Sequence, residues 1–352
     1  YQYAGTPQVT VESQYDQATK SLVLNFKQSC PDTPGQTDKE AMQIPVIVGF
    51  VDENGALTVS ADHVEGDARA HLDGQLLLNL TDRQQTFRFK GLPEKAVPSL
   101  LGNFSAPVKL NHSYSRDQLV ALASFDQDPF NRWEAVQRLA TDVILTLVKD
   151  GAIAETVLDP HLDQVFAASL ADQKTDPALL AEALNLPGET YLGQMMAVVD
   201  VDGLHGARKA LVKGLAEKHY GAILARYNLL NDGSAYRYDE PSSANRRLKN
   251  TLLSYLMEMN SSEVQDLVRQ QFNSADNMTD QMAAFAAAQK DNGTLRDEIT
   301  EAFYQQWRGD DLVIDKWFAV QAQTPKVETV DMVKKLAKHA DYSIKNPNRM
   351  RS

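Results

Sequence analysis

Few residues in this chain could carry out chemistry, and their spacing does not assemble a metal site. No two of the seven histidines are four residues apart, as a zinc-binding His-Glu-x-x-His helix requires. Asp200-Val201-Asp202-Gly203 resembles half of a calcium loop, but Val198 and Lys209 stand where that loop needs acidic ligands. A polar turn before a helix is the expected structure there. The histidines are His63, His71, His112, His161, His205, His219 and His339.

Motifs for nucleotide binding and nucleophilic catalysis are also missing. The sequence has no Gly-x-Gly-x-x-Gly, no phosphate-binding loop ending in Lys-Ser/Thr and no Gly-x-Ser-x-Gly. Acidic pairs such as Asp310-Asp311 are typical of helix starts, where they favour the helix dipole, and Trp317-Phe318 is expected to pack in a core. We therefore expect no catalytic residue here, and a site assembled from residues distant in sequence is the weakest hypothesis.

The stretch Asn346-Pro347-Asn348-Arg349-Met350-Arg351 is the one place where two arginines could be held out toward a ligand. Two arginines follow a turn-forming segment, and the planar guanidinium group suits a carboxylate. From spacing alone a frayed basic terminus is the favoured interpretation of the same residues. Both interpretations stay open.

The elements that must position these residues begin with a part rich in short strands. At 352 residues, 43% of them hydrophobic, the chain is long enough for two globular domains. Leu22, Leu24 and Phe26 share one face of an alternating run, and Asp52-Glu53-Asn54-Gly55 is typical of a hairpin turn. These features predict an Ig-like β-sandwich over residues 1–106. The predicted strands are 9–11, 21–28, 44–51, 56–60, 75–80 and 86–90.

Helical periodicity begins after about Pro107 and continues to the end of the chain. Ser115 and Gln118 form a capping box, and Asp128-Pro129 and Asp176-Pro177 place a cap before a first-turn proline, so helices are expected near 116, 129 and 177. About ten helices predict a superhelical domain of stacked hairpins over residues 107–352. No fixed period recurs, which argues against the regular solenoid families.

Charge and cysteine content limit the partners and the compartment. A net charge of −12 argues against nucleic acid and against an anionic membrane surface. Cys30 is the single cysteine, so no disulfide can form within the chain, and a reducing compartment is favoured. Neither a membrane-spanning apolar run nor a signal segment is recognisable. The expected location is the cytoplasm.

Several strings, in order along the whole chain, resemble the bacterial form of the aminopeptidase N family of zinc exopeptidases. The longest and most distinctive runs from Pro98 to Leu110 and looks like the last strand of a sandwich leading into a helical domain. The others are Tyr3 to Pro7 with Val9 to Val11, Phe130 to Ala135, Asn277 to Asp280, Asp315 to Phe318, and Asn346 to Arg349.

The resemblance implies that the chemistry lies in a preceding domain. In that family a catalytic domain carries the His-Glu-x-x-His helix, a further glutamate ligand and a Gly-Ala-Met-Glu-Asn segment that holds the substrate's amino group, and none of these is in this sequence. There zinc polarises the scissile carbonyl and a glutamate activates water. The chain is therefore expected to be a fragment at both ends, inactive alone, with a truncated helical domain and zinc only in the parent's catalytic domain.

The resemblance also implies what this part of such an enzyme does. The helical domain covers the active site and admits only peptides and unfolded ends, while the sandwich is a spacer. The partners expected for the chain are the missing catalytic domain of the same polypeptide and, in the intact enzyme, peptide substrates. The parent enzyme is expected to be a monomer. Arg351 falls where the family faces the substrate cavity, so Arg351, Arg349 and Asn346 are the candidate substrate-lining residues.

Two hypotheses of different kinds remain. The first is a non-catalytic C-terminal portion of a zinc aminopeptidase. The alternative is a free-standing scaffold of sandwich and helical stack that binds other proteins. An open reading frame that extends upstream into a His-Glu-x-x-His helix would favour the first.

Overall fold

The structure, a computed structural model, describes residues 3–151 and 158–352 and contains a β-sandwich followed by helices. This confirms the predicted fold class. The strands are β1 (Gln8–Asp16), β2 (Ser21–Ser29), β3 (Ile44–Asp52), β4 (Gly55–Leu57), β5 (Val64–Glu65), β6 (Ala68–Ala70), β7 (Leu76–Leu80), β8 (Gln84–Lys90), β9 (Val97–Leu100) and β10 (Lys109–Asn111).

Two sheets form the sandwich. The first has the strand order β10-β1-β2-β8-β5, and the second has the order β4-β3-β7-β6 with β9 also paired to β3. Neighbouring strands are antiparallel except β1 and β10, which run parallel with Gln8 opposite Lys109. The first and last strands of the sandwich therefore lie side by side.

The alternation predicted for residues 21–28 is confirmed by burial. Leu22, Leu24 and Phe26 on β2 face the sandwich core, whereas Asn25 and Lys27 are exposed. Phe26 meets Phe87 edge to face with ring centroids 5.6 Å apart, an arrangement that aromatic rings favour. Inward side chains of both sheets thus share one core.

The predicted hairpin at residues 52–55 is also confirmed, between β3 and β4. The Asp52 carboxylate accepts hydrogen bonds from the backbone N–H groups of Asn54 at 2.7 Å and Gly55 at 3.1 Å. Gly55 has a φ of +143°, which other residues rarely adopt. The turn closes because Asp52 replaces the missing backbone partners.

Three non-glycine residues with positive φ follow β9, namely Leu101, Asn103 and Phe104. Backbone in this conformation costs about 1–3 kcal/mol per residue, and it persists only where the surrounding contacts hold it. Here the Asn103 N–H donates to Asp128 Oδ2 at 2.6 Å, and the Phe104 ring lies 4.0 Å from that of Phe130. These contacts fix the exit from the sandwich.

The helices begin with the predicted capping signals. The starts near 116, 129 and 177 are confirmed, including the capping box of Ser115 and Gln118. The helices are α1 (Arg116–Phe125), α2 (Pro129–Asp150), α3 (Pro160–Ala171), α4 (Pro177–Leu184), α5 (Glu189–Gly193), α6 (Val201–Leu230), α7 (Glu240–Leu256), α8 (Ser262–Ser274), α9 (Met278–Ala288), α10 (Thr294–Trp307), α11 (Asp311–Ala322), α12 (Thr329–Leu336) and α13 (Pro347–Arg351).

Among the described residues the chain divides into two compact units. The first comprises residues 3–151, 158–175 and 186–204 and holds the sandwich with α1, α2, α3 and α5. The second comprises residues 176–185 and 205–352. The sequence-based boundary at 106/107, which separates strands from helices, stays a prediction; β10 lies just beyond it.

Within the second unit the helices pack on one another, some of them across other elements of the chain. Contacts join α4 with α7, α7 and α8 with α9, α9 with α10, α10 with α11, and α11 with both α12 and α13. Trp317 and Phe318 of α11 are buried, so their predicted core role is confirmed. None of the helices in the described part of the chain is both long and apolar enough to cross a membrane.

Candidate functional site

The three residues predicted to line a substrate cavity lie in one short helical turn. α13 begins at Pro347, whose missing N–H is not needed at the first helical position. The Asn346 side chain accepts hydrogen bonds from the backbone N–H groups of Asn348 at 3.0 Å and Arg349 at 3.4 Å. Asn346 is therefore the cap that starts this turn.

Arg349 points into the protein and is only 3% exposed. Its guanidinium group donates to the Asp315 carboxylate, to the backbone carbonyl of Asp341, and to the backbone carbonyl of Asp311 at 3.2 Å. The guanidinium carbon also lies 5.2 Å from the centroid of the Phe318 ring. These contacts hold α13 on α11, and a substrate carboxylate at Arg349 would have to replace Asp315.

Arg351 differs from Arg349 although the two are in the same helix. Its side chain is exposed, because two residues correspond to about 200° around a helix. Its charge is therefore available to a ligand. The substrate-lining roles of Arg351, Arg349 and Asn346 stay predictions.

The described residues do not fit a zinc ion. No group of three His, Cys, Asp or Glu side chains in residues 3–151 and 158–352 could hold a metal. Asp200 Oδ1 instead accepts a hydrogen bond from the Gly203 N–H at 2.9 Å, at the start of α6, which confirms the predicted polar turn. No metal-dependent step is assigned to this chain.

A buried ion pair in the second unit is the polar cluster that sequence analysis missed. Lys249 of α7 and Asp280 of α9 are 7% and 6% exposed, and Lys249 Nζ lies 2.8 Å from Asp280 Oδ2. Asp280 also accepts hydrogen bonds from the side chains of Asn250 at 3.0 Å and Asn277 at 3.2 Å. The carboxylate is thus surrounded by three donors, as a buried charge requires.

This cluster left no local signal in the sequence. The two charged residues are 31 positions apart, so neither helical nor strand spacing connects them. In the sequence, the string Asn277 to Asp280 carries only the family resemblance. It is the α9 cap, in which the Asn277 side chain accepts a hydrogen bond from the Asp280 N–H at 2.9 Å.

A second buried carboxylate, Asp126, lies between α1 and α2 in the first unit. It is 6% exposed; Oδ1 accepts a hydrogen bond from the Asp128 N–H at 3.0 Å, and Oδ2 has no partner among the described residues. Burial raises the pKa of Asp126 from 3.8 to about 6. A hydrogen bond from the Ser99 side chain lowers this pKa, but burial has the larger effect.

This raised pKa predicts how stability depends on pH. The folded protein holds the Asp126 proton more tightly than the unfolded chain, so the stabilisation is complete below the unfolded pKa and is lost as pH rises through the folded one. Asn cannot ionise, so Asp126→Asn removes the cost of the buried charge at pH 8. The change that Asp126→Asn makes to the free energy of unfolding should therefore be more stabilising at pH 8 than at pH 4, by at most about 3 kcal/mol. Urea titrations at both pH values measure this difference, and equal effects of Asp126→Asn at the two pH values would contradict it.

Known protein families and relatives together match the whole chain. The family described as "domain of unknown function (DUF3458_C) ARM repeats" matches residues 116–352, and "domain of unknown function (DUF3458) Ig-like fold" matches residues 5–113. The ARM description corrects our expectation that a regular solenoid family is disfavoured. Such repeats lie in the packing of helix pairs and need not leave a fixed sequence period.

Curated relatives are identical to this chain at about a third of the aligned positions. Aminopeptidase N of Escherichia coli strain K12 is 35% identical over 353 positions, covering 100% of this chain and 40% of that protein. Aminopeptidase N of Haemophilus influenzae is 33% identical, again with 100% and 40% covered. The chain therefore spans about two fifths of the length of these relatives.

A solved structure has the same fold. The crystal structure of Legionella pneumophila aminopeptidase A in complex with aspartic acid is 27% identical, with a TM-score of 0.75 over 99% of this chain and 39% of that one.

Proposed function

We propose that this chain, which belongs to the DUF3458_C family of ARM-repeat domains, is the non-catalytic C-terminal portion of a zinc-dependent aminopeptidase that removes N-terminal residues from peptides. The observation that carries the proposal is the match of the whole chain to two fifths of aminopeptidase N, together with the lack of a metal site among residues 3–151 and 158–352. In this proposal zinc and the reacting groups belong to a catalytic domain of the same polypeptide, in the cytoplasm.

Within such an enzyme the sandwich is a spacer and the helical domain covers the active site. Support for a rigid spacer comes from the single core shared by both sheets and from the held segment after β9. Support for a covering wall comes from the exposed Arg351 on a turn that Asn346 and Arg349 anchor. An exposed cation on a fixed turn suits the C-terminal carboxylate of a short peptide.

The purified chain should have no peptidase activity. We expect no hydrolysis of aminoacyl anilides with added zinc, because metal-assisted hydrolysis needs three protein ligands and a base around one ion. A polypeptide that joins the chain to a domain with the His-Glu-x-x-His helix should hydrolyse the same anilides, and serves as the positive control. Turnover by the chain alone that a chelator abolishes would refute the proposal.

A further inference from the structure

A cavity of about 360 Å³ lies in the second unit, beside the Lys249–Asp280 pair. Residues 231–237 of the irregular segment between α6 and α7 form one side of it, and residues of α7, the end of α8 and the start of α9 form the others. Its volume is within the range of pockets for small molecules. Small apolar residues, Ala235 and Ala275, complete the lining.

The inner wall is rigid and electrically neutral. Lys249 and Asp280 compensate each other at 2.8 Å, and Lys249 Nζ also lies 3.4 Å from Asn231 Oδ1. Behind them Gln271 donates to the Asp280 carbonyl at 3.0 Å and accepts a hydrogen bond from the Tyr227 hydroxyl at 2.9 Å. A satisfied buried network of this kind holds a wall in one arrangement.

The outer wall holds opposite charges that do not pair with each other. The Arg246 guanidinium carbon lies 4.8 Å from the centroid of the Tyr236 ring, and Arg246 donates to the Arg237 carbonyl at 3.0 Å and to Ser243 Oγ at 3.1 Å. Asp276 accepts a hydrogen bond from the backbone N–H of Tyr236 at 2.7 Å. In the described part of the chain no ion pair joins Arg246 to Asp276.

Asp276 is held in its charged form. Hydrogen bonds from the Asn277 side chain and the Tyr236 N–H lower the pKa of its carboxyl group. Together the cavity walls carry three cationic and three acidic side chains, so the cavity is not selective for one sign of charge. The residues are Arg237, Arg246, Lys249, Asp232, Asp276 and Asp280.

We propose that this cavity binds a small zwitterion, a free amino acid or a dipeptide, with its carboxylate at Arg246 and its ammonium group at Asp276. A guanidinium group can bind a carboxylate through two parallel hydrogen bonds, and an ammonium group donates three. The choice of amino acids and dipeptides rests on the proposed function, because these are the molecules that peptide trimming releases or leaves.

Calorimetric titration of the purified full chain tests this. L-alanine and L-alanyl-L-alanine should bind, and N-acetyl-L-alanine and L-alaninamide, which each keep one charge, should bind about tenfold more weakly or not at all. Arg246→Gln and Asp276→Asn should each raise the Kd for the zwitterions about tenfold or more. Arg269→Gln is the control, because Arg269 of α8 pairs with Glu298 outside the cavity. This change should leave the Kd for the zwitterions unchanged.

Several outcomes would overturn the proposal. These are the absence of binding by both zwitterions at millimolar concentration, equal affinity for N-acetyl-L-alanine, or an unchanged Kd in Arg246→Gln. Asp276 is exposed, so Asp276→Asn supplies the same test should Arg246→Gln fail to fold. Binding is measured on this chain alone, so the result is independent of the turnover experiment.

Discussion

Arg349→Ala is expected to lower the free energy of unfolding by about 3–5 kcal/mol, because it leaves the partly buried Asp315 carboxylate without its partner. Arg349→Lys should restore little of this free energy of unfolding. An ammonium group lacks the planar fork with which the guanidinium group reaches Asp315 and two backbone carbonyls at once. Urea denaturation followed by circular dichroism gives the free energy, and hydrogen exchange in α11 and α13 locates the change.

Arg351→Ala is the matched control, two residues away in the same helix. Its side chain is exposed, so the expected change in the free energy of unfolding is within about 0.5 kcal/mol. In a polypeptide that includes the catalytic domain, however, Arg351→Ala should raise the KM for tripeptides about tenfold through loss of a charge-assisted hydrogen bond. Exposed Arg308→Ala should not. Equal unfolding midpoints for Arg349→Ala and Arg351→Ala would show that the buried fork does not stabilise the fold.

Lys249→Met is expected to destabilise the second unit by about 3–5 kcal/mol, because Asp280 would stay buried and charged with only amide donors. Replacing both partners, as in Lys249→Met with Asp280→Asn, should cost less than the sum of the single changes by about 1–3 kcal/mol. A double-mutant cycle of urea denaturation measures this difference.

Lys213→Met is the control for this cycle. Lys213 is exposed and pairs with Glu217 at 3.6 Å one helical turn away, so its loss should cost at most about 1 kcal/mol. If Lys249→Met costs no more than Lys213→Met, the buried pair does not determine how α7 packs on α9.

Sequence patterns predicted much of the sandwich because strands such as β2 and β7 alternate regularly between buried and less buried residues. The strands that alternation missed are short or lack it: β5 has two residues, β6 is Ala-Arg-Ala, β9 contains Pro98 and is buried throughout, and β10 has three residues. Pairing with longer neighbours makes them strands, which is a tertiary effect. Among helices, α3 has the same Asp-Pro start as α2 and could have been predicted from Asp159-Pro160.

The candidate site shows where sequence information ends. The resemblance directed attention to the Asn346–Arg351 turn, but not to the difference between a buried Arg349 and an exposed Arg351, which depends on what packs beside α13. The Lys249–Asp280 pair was invisible because its partners come from different helices. Spacing describes one element, whereas these features depend on contacts between elements.

The parallel pairing of β1 with β10 sets an order of events during synthesis. Gln8 and Lys109 are separated by about 100 residues, and contacts so distant in sequence form slowly. Until residue 111 has left the ribosome, residues 8–10 at the outer edge of β1 have unpaired backbone groups that another chain could join. The last short strand of the sandwich therefore covers this part of the β1 edge late in synthesis and limits aggregation of the nascent protein through it.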